Sequence, residues 1–157
     1  MRKETRSVAW VAVDAPGRTM SAYPAEFAAR VSGRFKRPLG DLLGIGSFGV
    51  NLTTLRPGAQ SSIKHRHSVQ DEFVYVVSGE LVLAHDDGET MLAAGMCAGF
   101  PRGGVAHHLV NRSDAPATYL EIGDRQSGDS ADYPDDDLVA VRSDDGWRFA
   151  HKDGTPY

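Results

Sequence analysis

An all-β sandwich or barrel is the fold class this 157-residue sequence predicts. Phe48, Val50, Leu52 and Thr54 alternate with smaller or polar residues, the period of two expected of a half-buried strand. Further short apolar runs follow at close spacing, most of them separated by Gly or Pro, which is the pattern of a sandwich or barrel. Gly (17) and Pro (8) make up about 16% of the chain, against roughly 12% in average usage. Such punctuation suits short strands and turns better than long helices.

Taken in order, Ser7 to Val13 reads as a first strand closed by the turn Ala15-Pro16-Gly17. Pro24 to Ser32 reads as a short helix, with Phe27, Ala28 and Val31 at near-helical spacing and Pro24 suited to its start. Gly33 to Gly46 reads as a loop containing a Leu-Leu pair. The strand from Phe48 ends at Pro57-Gly58. Phe73 to Val77 is an unbroken apolar run, expected to be a strand buried on both faces. Ser78-Gly79 turns the chain back into Glu80 to Ala84, and Asp86-Asp87-Gly88 is a strong turn signal. Thr90 to Leu92, Met96 to Phe100, Val105 to Val110 and Ala117 to Ile122 are further strand candidates.

From residue 123 the chain becomes polar and acidic, with Asp135-Asp136-Asp137 and then Asp144-Asp145. Apolar bursts return at Leu138 to Val141, Trp147 and Phe149. The expected organisation is an N-terminal region over 1–47, a barrel core over 48–122 and an acidic extension over 123–157. The extension would pack on the barrel or on a second subunit, with its acid run as solvated surface.

Composition excludes several function classes. A formal net charge of −4 argues against a nucleic-acid partner, which calls for a basic patch. The longest apolar run, Val8 to Val13, falls far short of the roughly 20 residues of a membrane-spanning helix. The single cysteine, Cys97, excludes an intrachain disulfide and is read as a buried, inert thiol. A cytoplasmic location is the default expectation.

Chemistry concentrates in the histidines. His65 and His67 are two apart where a strand should begin, so their imidazoles point to one face. The acidic pair Asp71-Glu72 leads directly into the apolar run at Phe73. A carboxylate there is costly to bury unless paired or bound to a metal. Two imidazoles and a carboxylate suit a divalent transition metal. A third imidazole is available at His107 or His108, which point to opposite faces of a strand. His85 and His151 read as surface histidines.

These residues fall into two spaced motifs. Gly58, His65-Arg66-His67, Glu72 and Gly79 form the first, with six, four and six residues in the intervals. Gly95, Pro101, Gly103-Gly104, His107 and Asn111 form the second, 15 residues further on. The arrangement over about 48–122 resembles the two conserved motifs of the cupin superfamily. It departs from the usual pattern by one extra residue after Gly58 and one around Gly103-Gly104. The resemblance implies a double-stranded β-helix, or jelly-roll barrel. It implies a metal held by His65, His67, Glu72 and His107. His107 is preferred to His108 because it keeps three residues before Asn111, and Glu72 is preferred to Asp71 for its reach and its distance from Gly79.

The implied cofactor is one divalent transition metal ion, from among Fe, Mn, Ni, Co and Zn. Four protein ligands on an octahedral ion leave about two positions for a small-molecule ligand or substrate. The implied function is a metal-dependent enzyme on a small organic molecule, dioxygenase-like or an isomerase or decarboxylase. The alternative is a non-catalytic module that binds or senses a small ligand. No acid or base beside the metal stands out in the sequence. Cupins commonly pair as homodimers, and Val8 to Val13 is a candidate exchanged arm.

Overall fold

The structure, a computed structural model, describes residues 8–157. In chain order the strands are β1 (Arg34–Arg37), β2 (Phe48–Leu55), β3 (Arg66–His67), β4 (Glu72–Ser78), β5 (Glu80–His85) and β6 (Gly88–Ala93). They continue as β7 (Cys97–Phe100), β8 (His107–Val110), β9 (Ala117–Asp124), β10 (Ser130–Tyr133), β11 (Leu138–Ser143) and β12 (Gly146–Ala150). Two short helices, α1 (Ala25–Ala28) and α2 (Leu39–Leu43), precede the second strand. No helix among the described residues is long and apolar enough to cross a membrane.

The strands form antiparallel sheets in the orders β1-β2-β9-β4-β7, β12-β11-β10-β3 and β6-β5-β8. The last two are tied by an isolated bridge between His65 and His107. The five-stranded sheet faces β5, β6 and β8 across one apolar cluster. Leu55, Val74, Val76 and Tyr119 from one side meet Leu81, Leu83, Leu92 and Leu109 from the other. Each such side chain, fully buried, contributes about 1.5–3 kcal/mol. A second cluster joins Phe27 and Val31 to Ile63, Ala131, Tyr133, Leu138 and Ala140. It seats α1 against the sheet made by the C-terminal strands. This is the jelly-roll arrangement, mostly β and antiparallel.

Gly79 closes the β4–β5 hairpin in a left-handed conformation, φ 77°, and a Cβ there would lie 2.9 Å from Ala117 Cα. Both facts require glycine.

Several local expectations change. Val8 to Val13 is not a strand: Ala12–Asp14 form a 3-10 turn, and Val8, Val11 and Val13 are exposed. Ser7 lies outside the described residues. Local apolar character alone does not make a strand, whose propensity depends on its context. Gly33 to Gly46 is not simply a loop. Arg34–Arg37 becomes a strand because it pairs with Leu52–Leu55 of β2, a tertiary choice with little local signal. Helix α2 follows, ended by Gly44 at φ 76°.

Phe73 to Val77 is buried on one face only: Val74 and Val76 are in the core while Phe73, Tyr75 and Val77 are exposed. Cys97 is exposed, not buried, on the strand beside it. The acid run is not merely solvated. Asp136 receives Arg30 at 2.6 Å, and Asp137 accepts from His151 Nδ1 at 2.9 Å and Lys152 N at 2.8 Å.

Candidate metal centre

Three imidazoles reach the site from the β3 and β8 side, and a carboxylate reaches it from the five-stranded sheet. His65 and His107 exchange backbone hydrogen bonds, His65 N to His107 O at 3.1 Å and His107 N to His65 O at 2.8 Å. Such a pair holds its two side chains on one face. His67, two residues on in β3, joins them. Glu72 opens β4, opposite Phe100 of β7 and Gly123 of β9.

The four side chains meet at one atom. Glu72 Oε2 lies 3.6 Å from His65 Nε2, 3.5 Å from His67 Nε2 and 3.1 Å from His107 Nε2. His65, His67 and Glu72 form a group able to hold a metal ion, with ligand atoms all within 4.8 Å of one another. His107 stands beside that group at the same oxygen.

The far side of each ring explains the near side. His65 Nδ1 donates to Ile63 O at 2.8 Å, His67 Nδ1 to Asp129 Oδ2 at 2.6 Å and His107 Nδ1 to Val105 O at 3.2 Å. All three partners are acceptors, so each neutral ring keeps its proton on Nδ1 and turns an Nε2 lone pair inward. Glu72 Oε2 is buried and receives no hydrogen bond. A buried carboxylate oxygen without a partner is costly. Three lone pairs and one anionic oxygen around a common point are electron-pair donors, the set that a divalent transition-metal cation takes.

The charges respond to this crowding. Burial alone would lower the His67 pKa, but the Glu72 and Asp129 carboxylates overcome it and raise the group to about 9. Burial works to raise Glu72, yet the three imidazoles, His107 first, hold it well below the ordinary carboxylate range. His108, on the opposite face of β8, is lowered by burial, and its Nδ1 lies 3.2 Å from Ser62 O.

Packing fixes the rings in place. Phe100 stacks on His107 with centroids 3.4 Å apart and planes 3° from parallel. Tyr133 lies against His65 at 5.7 Å and Trp147 against His67 at 5.7 Å. Burial raises the Tyr133 and Tyr23 hydroxyls above their ordinary pKa.

Sequence reasoning missed Asp129, which is fully buried. Besides His67 it receives Val69 N at 2.9 Å and Ser68 Oγ at 3.3 Å. It lies in Ser127-Gly128-Asp129-Ser130, a segment indistinguishable from a polar turn. Only the pairing of β10 with β3, Ala131 opposite His67, brings it to the site. Asp71 stays outside and caps a turn, accepting Arg102 N at 2.8 Å. Arg66 points away and binds Asp132 at 2.9 Å. Lys64 is held by Asp86 at 3.1 Å.

The sequence matches the family described as Cupin domain over residues 51–123. A protein from Silicibacter pomeroyi, described as a sugar phosphate isomerase from a cupin superfamily, is 44% identical. The match covers 92% of this chain and 93% of that one, with a TM-score of 0.88. A candidate sugar phosphate isomerase from Acidithiobacillus ferrooxidans is 28% identical over 83% of each chain, with a TM-score of 0.75. A polyketide cyclase from Streptomyces resistomycificus, 18% identical over 80% of each chain with a TM-score of 0.60, shares the fold. No curated protein matches the chain. With 44% identity to a cupin over nearly its whole length, and the family's domain matched across its barrel strands, the chain belongs to the cupin superfamily.

Proposed function

We propose that this cupin is a metal-dependent enzyme that isomerises a small phosphorylated sugar at a centre made by His65, His67, Glu72 and His107. The observation that carries the metal reading is the convergence of three Nε2 atoms on the unpartnered Glu72 Oε2. The substrate class is supported by similarity to the Silicibacter pomeroyi protein across nearly the full length of both chains. The ion would be one of Fe, Mn, Ni, Co or Zn, since mixed nitrogen and oxygen ligation admits all of them. Bound there, it would act as a Lewis acid toward a carbonyl and hydroxyl pair.

The chain's own residues supply the rest. The Nδ1 anchors fix the rings, Glu72 contributes the anionic ligand, and Phe100, Tyr133 and Trp147 keep the site walled by aromatic surface. The working form is proposed to be a cytoplasmic homodimer. The exposed apolar side chains Phe73, Tyr75 and Val77 on one sheet face support pairing, and a single unpaired cysteine suits a reducing compartment.

The test is metal analysis of the purified protein together with an isomerase assay on pentose and hexose phosphates. About one metal per chain and turnover of one of these sugars is expected, with both lost in His107→Ala. A fully loaded protein that turns over none of them would exclude this activity and leave a binding or sensing module.

A further inference from the structure

Isomerising a sugar through an enediol requires a group that moves a proton between neighbouring carbons. The imidazoles cannot serve, since each Nδ1 is tied to an acceptor and each Nε2 faces the metal position. One more carboxylate shares the interior face. Across β4 and β9, Glu72 pairs with Gly123 and Val74 with Glu121. A Cβ at Gly123 would lie 3.8 Å from Glu72 Cγ, so position 123 points the way Glu72 does. Strand alternation puts Glu121 on that same face, about 7 Å further along. Its strand neighbours on this face, Val74 and Tyr119, are both buried, which marks the face as the barrel interior.

Glu121 is held there by two groups. Tyr119 Oη donates to Glu121 Oε2 at 3.3 Å, and Lys36 Nζ from β1 pairs with Glu121 Oε1. The Glu121 side chain is 24% exposed, so it is reachable and not sealed into the core. Lys36 and Tyr119 thus fix the two oxygens of a partly exposed carboxylate on the face that also carries Glu72.

We propose that Glu121 is the proton-transferring residue of this site, an inference that rests on the sugar phosphate isomerase reading. Its carboxylate takes the proton from C2 of an aldose phosphate. The C2–H electron pair becomes the C1=C2 bond, and the carbonyl π pair moves to O1. The hydroxyl proton on O2 then shifts to O1. The O2 pair forms the new carbonyl, and the C1=C2 pair takes the proton back from Glu121 at C1. One C–H bond breaks, one forms, and no oxidant or reductant is consumed.

The experiment compares wild type with Glu121→Gln, measuring metal content, melting temperature, kcat, KM and deuterium uptake in D2O. The expected result for Glu121→Gln is an unchanged metal content, a melting temperature lowered by no more than the loss of one partly exposed ion pair with Lys36, an unchanged KM and a kcat lowered at least 100-fold. Wild-type product should carry deuterium at C1. Glu121→Asp keeps the charge beside Lys36 and should have an intermediate kcat. If Glu121→Gln keeps kcat within threefold of wild type, or wild-type product holds no solvent deuterium, the Glu121 assignment falls and the isomerase reading stands. If loaded wild type turns over no pentose or hexose phosphate, the isomerase reading falls and takes this inference with it.

Discussion

Asp129 holds the Nδ1 proton of His67 from a position 62 residues along the chain. Carboxylates behind a metal-binding imidazole set its orientation and basicity, and losing one typically costs 10–100-fold in metal affinity. Asp129→Asn, which still accepts a hydrogen bond, should therefore load metal more weakly by about that factor. Titration of the metal-free protein with Co2+ or Zn2+ measures it. Alanine at His65, His67, Glu72 or His107 should do more and abolish stoichiometric binding. His67 also sets a pH dependence. Its pKa without metal is raised to about 9, so metal must displace a proton at neutral pH. Affinity should climb steadily as pH rises toward 9, rather than levelling off just above the ordinary imidazole value. The metal-free fold should behave in the opposite sense. The stabilisation from charged His67 is fully present below about pH 6.5. It is lost as pH rises through about 9, which melting curves of the metal-free protein across that range would show. The convergence of His65, His67, Glu72 and His107 was legible because their spacing is local and their chemistry unusual in a strand. Asp129 and Glu121 were not, because what makes them special is the register of β10 on β3 and of β9 on β4, and no residue type announces a register.

At the scale of elements, Asn111 follows β8 and adds side-chain bonds to its backbone pairing with Gly58 and Ala59. Fully buried, it donates to Leu55 O at 3.0 Å and Ala115 O at 2.8 Å, and accepts Ser113 N at 3.0 Å. Asn111→Ala strands several buried polar groups, each costing about 1–3 kcal/mol. Denaturant unfolding should show a loss on the order of 3 kcal/mol, with the metal site still loadable. Gly79→Ala should be comparably damaging, since both its left-handed backbone and the closeness of Ala117 resist a side chain. Strands β2 and β4 to β9 were legible from alternation and turn residues. Strand β1 and helix α2 were not: Arg34–Arg37 offers one apolar residue in four, and its conformation comes from the free edge of β2. The Val8 to Val13 run misled because its apolar composition reads as a strand, whereas Ala12–Asp14 turn as a 3-10 helix and Val8, Val11 and Val13 are exposed.

Across the whole molecule, the outer face of β4 presents Phe73, Tyr75 and Val77 in a row, with Cys97 opposite Tyr75 on β7. A contiguous apolar strip of this kind on a sheet face is a natural seat for a second copy. Tyr75→Glu should shift the protein toward monomer in light scattering while leaving metal content intact. A wild-type protein that is already monomeric at micromolar concentration would rule that association out. The C-terminal strands β10, β11 and β12 extend the sheet that begins with β3, and they deliver Asp129, Tyr133 and Trp147 to rings 60 or more residues earlier in the chain. During synthesis the paired motifs therefore leave the ribosome before the walls that orient them. A nascent chain that stops short of Asp129 holds His65, His67 and His107 but leaves the His67 Nδ1 without its acceptor. Tight capture of an ion at this site would wait until Asp129 and the strands after it have been made.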